Sequence, residues 1–259
     1  MTDLSIFFAG TAGSVPTARR GLPALLVRRG GDRLLFDCGE GTQRQLLRSV
    51  GLADFDAIFL THFHTDHWLG LPGLLKTFDL RGRDQPLSLY GPRGLKQVMG
   101  ELRALYGRTT YPLRLVELEP GEAVDRDGYG VEAFGVRHRG RAIGYTVVED
   151  DRPGRFDADR ARELGVPFGP DFGRLQRGET VGDVKPSDVM GPDRSGRRVA
   201  ITGDTAPCDS VLAAAHQVDV LVHEATFMDE DATRAAQTSH STAGQAGRLA
   251  AEAEVRMLA

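Results

Sequence analysis

The chain has 259 residues, a length that suits one large domain or two small ones. Hydrophobic residues at 41%, charged residues at 26% and a net charge of −4 are those of an ordinary soluble globular protein. No apolar run approaches the roughly 20 residues a bilayer span needs, and the start, Met1-Thr2-Asp3, lacks the basic beginning of a signal peptide. The balance of charge does not mark a nucleic-acid binder, nor exclude one, because a local basic patch is what matters. The two cysteines, Cys38 and Cys208, form no C-x-x-C pattern and read as reduced, buried thiols, which places the chain in the cytoplasm.

Residues 4–8 read as a first strand, turned by Gly10-Thr11-Ala12-Gly13-Ser14 into an exposed basic loop, Pro16-Thr17-Ala18-Arg19-Arg20. On composition alone that loop is a solvated turn. Residues 24–28 and 33–37 suit a hairpin around Gly30-Gly31, and 42–50 a helix. Asp37, between them, is equally placed to cap that helix or to support a neighbouring loop.

The densest signal follows. Ala57-Ile58-Phe59-Leu60 is short enough for a buried strand, and Trp68, Leu69, Leu71, Leu74, Leu75 and Phe78 fall on one face of a helix. Between them stands Thr61-His62-Phe63-His64-Thr65-Asp66-His67. Three imidazoles and a carboxylate are costly to hide without a partner, and a borderline ion such as zinc prefers this donor set. His62 and His64 alternate, so in an extended segment both rings point to one side. Asp66 and His67 point elsewhere, which suits a second ion beside the first.

Further on, 87–90 is a strand closed by Gly91-Pro92. The segment 95–106 reads as one helix with Leu95, Val98, Met99, Leu102 and Leu105 inward. Residues 113–118, 129–136 and 144–148 are further strands, with His138 just past the second. From 149 to 182 the chain is polar, mixed in charge and dotted with proline and glycine, with a small helix at 158–164. So long a stretch with few core residues reads as an inserted, flexible arm reaching towards a large substrate. Strands at 198–202 and 218–222 then run into Gly203-Asp204-Thr205 and His223-Glu224-Ala225-Thr226, with a helix at 210–215 between them. Three strands thus deliver polar groups at their C-terminal ends, where α/β folds place their sites. His223 reads as structural and His216 as a surface residue. His240-Ser241-Thr242 opens a last helix, and the chain stops at Val255-Arg256-Met257-Leu258-Ala259, which reads as the beginning of a strand and hence as a C-terminally truncated domain.

Together these residues resemble the metallo-β-lactamase superfamily and, within it, the ribonuclease Z family of tRNA 3′-processing endonucleases. The likeness covers nearly the whole chain. It rests on Phe36 to Gln43, the 61–67 cluster, Gly70-Leu71-Pro72-Gly73-Leu74, Tyr90-Gly91-Pro92, Thr110-Tyr111-Pro112-Leu113, Gly203-Asp204-Thr205, His223-Glu224-Ala225-Thr226 and His240-Ser241-Thr242. The resemblance implies a four-layer αββα fold over 1–259, with the 149–182 arm as an exosite for the tRNA elbow.

By motif, the resemblance gives His62, His64 and His138 to a first zinc ion, Asp66 and His67 to a second, and Asp204 to both, two Zn(2+) per subunit. A final histidine of the family, from a Thr-His-Xaa-Ser segment after the last helix, lies beyond these 259 residues. The second site is therefore expected to be one ligand short. Asp66 is the implied general base, and Glu224 and His240 the groups that stabilise the scissile phosphate and protonate the leaving oxygen. Pro16, Arg19 and Arg20 are expected near the RNA 3′ end, and Gly169, Pro170, Arg174 and Arg177 on the arm. The implied partners are precursor tRNA and a second copy of the chain, with no membrane. Two other readings remain: a small-molecule metallohydrolase acting on an ester, lactone or phosphodiester, and a non-catalytic RNA-binding fragment.

Overall fold

A computed structural model describes residues 3–259. Its strands are β1 (Leu4–Gly10), β2 (Ala24–Arg29), β3 (Asp32–Phe36), β4 (Ala57–Phe59), β5 (Leu87–Pro92), β6 (Leu113–Leu118), β7 (Ala123–Arg126), β8 (Tyr129–Gly135), β9 (Ile143–Glu149), β10 (Arg198–Ile201) and β11 (Val220–Val222). The helices are α1 (Thr42–Ser49), α2 (Thr65–Trp68), α3 (Leu71–Leu80), α4 (Leu95–Glu101), α5 (Arg103–Tyr106), α6 (Ala158–Glu163), α7 (Pro170–Gln176), α8 (Pro186–Val189), α9 (Asp209–Ala215), α10 (Ala232–Thr238) and α11 (Ala243–Glu252). A six-stranded sheet runs β1-β2-β3-β4-β5-β6 and a five-stranded one β11-β10-β9-β8-β7. The first begins as an antiparallel meander and becomes parallel from β3 onward.

The layering follows from strand alternation. On β2 to β5 one set of residues (Leu26, Leu35, Ile58, Leu87 and Leu89) packs against Leu46 of α1 and Leu71, Leu74, Leu75 and Phe78 of α3. The other set faces the second sheet. Phe36 stacks on Phe59 and Phe59 on Tyr90, and Tyr145 of β9 meets both phenylalanines edge-on or tilted. Tyr145 Oη donates to Leu60 O at 2.7 Å, so the ring's polar tip is satisfied inside the core. Outside the second sheet, Ala200 and Leu221 pack against Val211 and Ala215 of α9 and Leu249, Ala250 and Ala253 of α11. The result is helix, sheet, sheet, helix.

The chain divides into two compact units. Residues up to Val124, with Val131–Val147 and Val199–Ala259, form the first, and Asp125–Gly130 with Val148–Arg198 the second. The second has its own apolar cluster of Ala161, Val166, Phe172, Leu175, Val184 and Val189. Its buried Glu149 accepts from Arg197 Nε at 2.6 Å and Nη2 at 2.8 Å. The expectation of a stretch poor in core residues is corrected here: its apolar side chains are spread over three short helices and the turns between them, so no sequence window is periodic. The folded unit also extends past 182, to Arg198.

Three other expectations change. The helix read over 95–106 breaks at Leu102 into α4 and α5, so Leu105 is 67% exposed and Tyr106 turns inward, donating to Met99 O at 3.1 Å. The face read through Trp68 to Phe78 belongs to two helices, α2 and α3, and Leu69 is exposed. Of the cysteines, Cys38 is buried, which pushes its thiol up to about 12, whereas Cys208 is partly exposed before α9. Residues 257–259 pair beside β11, with Leu221 N donating to Met257 O and Ala259 N to Leu221 O.

Candidate metal centre

Polar loops gather at the C-terminal ends of β4, β8, β10 and β11, as α/β architecture dictates. With the turn between α10 and α11, they bring together His62, His64, Asp66, His67, His138, Asp204, Glu224 and His240, residues up to 178 positions apart in sequence. Close backbone approach makes this possible. A Cβ on Gly70 would lie 2.2 Å from Gly39 O, and one on Gly203, where φ is +60°, 2.7 Å from Thr61 Cβ. Only glycine permits either arrangement.

Asp37, itself at φ 57°, sets the proton arrangement. Its carboxylate accepts from Thr61 N at 2.8 Å, from the Thr61 hydroxyl at 2.9 Å and from His67 Nδ1 at 2.7 Å. With its hydroxyl proton committed to Asp37, Thr61 Oγ1 accepts from His62 Nδ1 at 3.0 Å. One carboxylate therefore turns the bare Nε2 of His62, and the Nε2 of His67, towards the centre. His138 Nδ1 donates to Ser239 O at 2.9 Å, a carbonyl presented by a left-handed residue, and its Nε2 is bare as well.

These bare nitrogens converge. His62 Nε2 lies 3.0 Å from His64 Nδ1, and His138 Nε2 lies 3.1 Å from the same atom. Tetrahedral zinc with bonds of about 2.0–2.1 Å would place its nitrogens about 3.3 Å apart, close to what is found. Burial holds His62 down to about 2, with the His67 charge adding to it, and burial also lowers His138, so both rings are neutral, as metal ligands must be.

Asp204 Oδ2 stands between the two groups, 3.7 Å from His62 Nε2, 3.8 Å from His138 Nε2 and 3.3 Å from His67 Nε2. His67 Nε2 is buried, makes no hydrogen bond and lies 3.8 Å from Asp66 Oδ2. Burial opposes charge on His67, but Asp37 and Asp204 together hold its pKa well above the usual value; Asp204 is in turn held low by His67 against its own burial. A buried imidazole whose positive charge two carboxylates favour, with its Nε2 unpaired, is where a second cation would take the place of the ring's proton, so the donors fit metal at both positions.

His240 Nδ1 donates to Glu224 Oε1 at 2.7 Å, and this bond raises the ring's pKa. Glu224 is fixed in turn by the amides of Thr205 and Thr226, each at 3.0 Å. His223 is buried, donating from Nδ1 to Glu224 O, and His216 is exposed.

Some of the contacts that hold these loops together had no readable signal. Thr205 accepts from Arg137 N and takes Ser241 Oγ on its carbonyl, tying the His138 loop to the His240 loop. Ser14 N donates to Asp66 Oδ2 at 2.9 Å, which brings the basic loop of Pro16, Arg19 and Arg20 to the centre's edge. Gly169, Pro170, Arg174 and Arg177 lie on or beside α7 of the second unit, where both arginines bond Glu179.

Two facing sheets, helices outside and a histidine–aspartate centre at the strand ends define a protein of the metallo-β-lactamase class, and the model of that superfamily matches residues 20–227. The ribonuclease Z of Myxococcus xanthus (strain DK1622) is 49% identical over all of this chain and 86% of its own length; that of Methanosarcina acetivorans is 44% identical over 98% and 86%. Human tRNase Z, short form, superposes with a TM-score of 0.71 at 28% identity, covering 98% of this chain and 91% of the human one. The chain belongs to the ribonuclease Z family.

Proposed function

We propose that this chain is the endoribonuclease that removes the 3′ trailer of precursor tRNA, cutting after the discriminator nucleotide and leaving a 3′-hydroxyl. The observation that carries this beyond family membership is the Glu224–His240 pair beside Asp204. A ribose 3′-oxygen leaves poorly unless protonated, and a histidine charged through its carboxylate partner can deliver that proton.

On this reading His62, His64 and His138 hold one zinc ion, Asp66 and His67 another, and Asp204 both. The fit of the buried donors supports two ions per subunit. Bound there, the ions supply a nucleophile from water at neutral pH and neutralise charge on the phosphate. Asp66 orients that water through one carboxylate oxygen while Ser14 N fixes the other. Glu224, pinned by two amides, holds His240 with its other nitrogen free for the phosphate and the departing oxygen. Pro16, Arg19 and Arg20 receive the RNA 3′ end, and Gly169, Pro170, Arg174 and Arg177 the body of the tRNA. Family resemblance supports a homodimer, and two free thiols are compatible with the cytoplasm. Among the described residues no helix is long and apolar enough to cross a membrane.

The test is end-mapping after incubation of the zinc-loaded protein with a 3′-extended precursor tRNA. A 3′-hydroxyl on the discriminator nucleotide and a 5′-phosphate on the trailer are expected. Turnover confined to small phosphodiesters or esters would favour the small-molecule hydrolase instead.

A further inference from the structure

One wall of the cleft over the metal donors carries its groups in a fixed order. At the first end stands Thr226, whose methyl would lie 3.8 Å from a Cβ built on Gly13, beside the basic loop. The Thr226 hydroxyl is 3.4 Å from His240 Nδ1, and the His240 ring lies 4.9 Å from that of His138. Arg139 follows His138 and forms the second end, its Nη2 donating to Gln237 O in the last turn of α10. From the basic loop the wall therefore runs Thr226, His240, His138, Arg139, all within the first unit.

Where the cleft passes over His64, His138 and His240, Arg139 is the one arginine or lysine lining it among the described residues. It is exposed, and among the described residues no carboxylate pairs with it. The bond to Gln237 O spends one N–H and fixes the plane of the head, leaving the other N–H groups for a ligand. A second bond, from His138 Nδ1 to Ser239 O at 2.9 Å, ties the same loop to the same turn. The guanidinium thus keeps a set position beside the imidazoles. An oriented, unneutralised guanidinium next to a phosphodiester-cleaving centre is suited to a phosphate oxygen pair.

We propose that Arg139 binds the phosphate on the 5′ side of the discriminator nucleotide, one linkage before the cut. This rests on the reading of the site given above. The basic loop receives the RNA 3′ end, so the trailer leaves past Thr226 and Gly13. His240, next along the wall, meets the leaving 3′-oxygen. The nucleotide that owns that oxygen then lies on the side of His138 and Arg139, and its own 5′-phosphate is the one that the guanidinium faces. Held there, the ribose presents its 3′-oxygen to His240 in a fixed orientation.

The experiment is a double-mutant cycle on the zinc-loaded protein with precursor tRNA. An uncharged methylphosphonate replaces either the phosphate 5′ of the discriminator nucleotide or the phosphate after the first trailer nucleotide. Every substrate carries 2′-deoxyribose on the 5′ side of both linkages, so that no neighbouring hydroxyl attacks them. Arg139→Gln and the acceptor-side methylphosphonate should each lower kcat/KM roughly tenfold, as for one charge-assisted phosphate contact, and together no further. With the trailer-side methylphosphonate the two losses should multiply. Multiplying losses at the acceptor-side phosphate overturn the subsite, and a variant that merely loosens the loop gives that result because it slows every substrate alike. Full activity of the parent on the acceptor-side methylphosphonate also overturns it, and coupling of Arg139 to the trailer-side phosphate overturns the direction of the strand. If the parent cuts no precursor, modified or not, the tRNA reading itself falls and the subsite with it.

Discussion

Asp37 shows how much a single side chain governs in this molecule. It is buried behind the donors, yet it decides which nitrogen of His62 and of His67 faces the centre. Replacing it with alanine frees the His67 ring and leaves Thr61 without its acceptor. Metal affinity should fall about 10–100-fold, the usual cost of losing a carboxylate behind a ligating histidine, read by competition with a chromogenic chelator. The His240 pair predicts the opposite pattern. His240→Ala removes no donor from the His62, His64, His138 and Asp204 group, so zinc content should hold while single-turnover cleavage of precursor tRNA slows by roughly 10²–10⁴-fold. A loss of zinc in His240→Ala would mean that it acts as a ligand and not as an acid.

Elements matter here through how closely their ends approach. Gly70 opens α3 against the carbonyl of Gly39, and Gly203 turns β10 into the site against Thr61. Gly203→Ala adds a Cβ at positive φ with nowhere to go, so chemical denaturation should show a loss of about 1–3 kcal/mol. Gly73→Ala, on the same helix as Gly70 but facing open space, should be neutral or stabilising. The elements were readable where periodicity was strong. The strands entering 61–67, 203–205 and 223–226 could be placed from apolar runs, and the polar groups at their ends from density alone. The break at Leu102 could not, because 95–106 keeps an apolar rhythm and the phase change depends on where Tyr106 finds its acceptor. Nor could the Ser14 amide on Asp66, which is a backbone contact across 52 residues and leaves no trace in side-chain type. Short β7, partly exposed and charged, has no apolar signature at all.

For the molecule as a whole, the division of labour between the two units is the open functional question, and it can be tested without touching a proposed binding residue. Leu175 is fully buried in the second unit's small cluster, among Ala161, Val166, Phe172, Val184 and Val189. A Leu175→Ala change removes a large part of so small a core and should cost about 2–5 kcal/mol locally. Because that unit has an apolar cluster of its own, the loss should appear as early hydrogen exchange over 156–190 and not as global unfolding. The donors of the metal centre all belong to the first unit, so zinc binding and hydrolysis of bis(p-nitrophenyl) phosphate should stay at the parent level. Cleavage of precursor tRNA should fall by roughly tenfold or more, since a loosened unit cannot hold Arg174 and Arg177 in place against the RNA backbone. Retained tRNA cleavage in a variant whose second unit exchanges freely would show that the first unit alone recognises the RNA, and the role given to Gly169, Pro170, Arg174 and Arg177 would have to be abandoned.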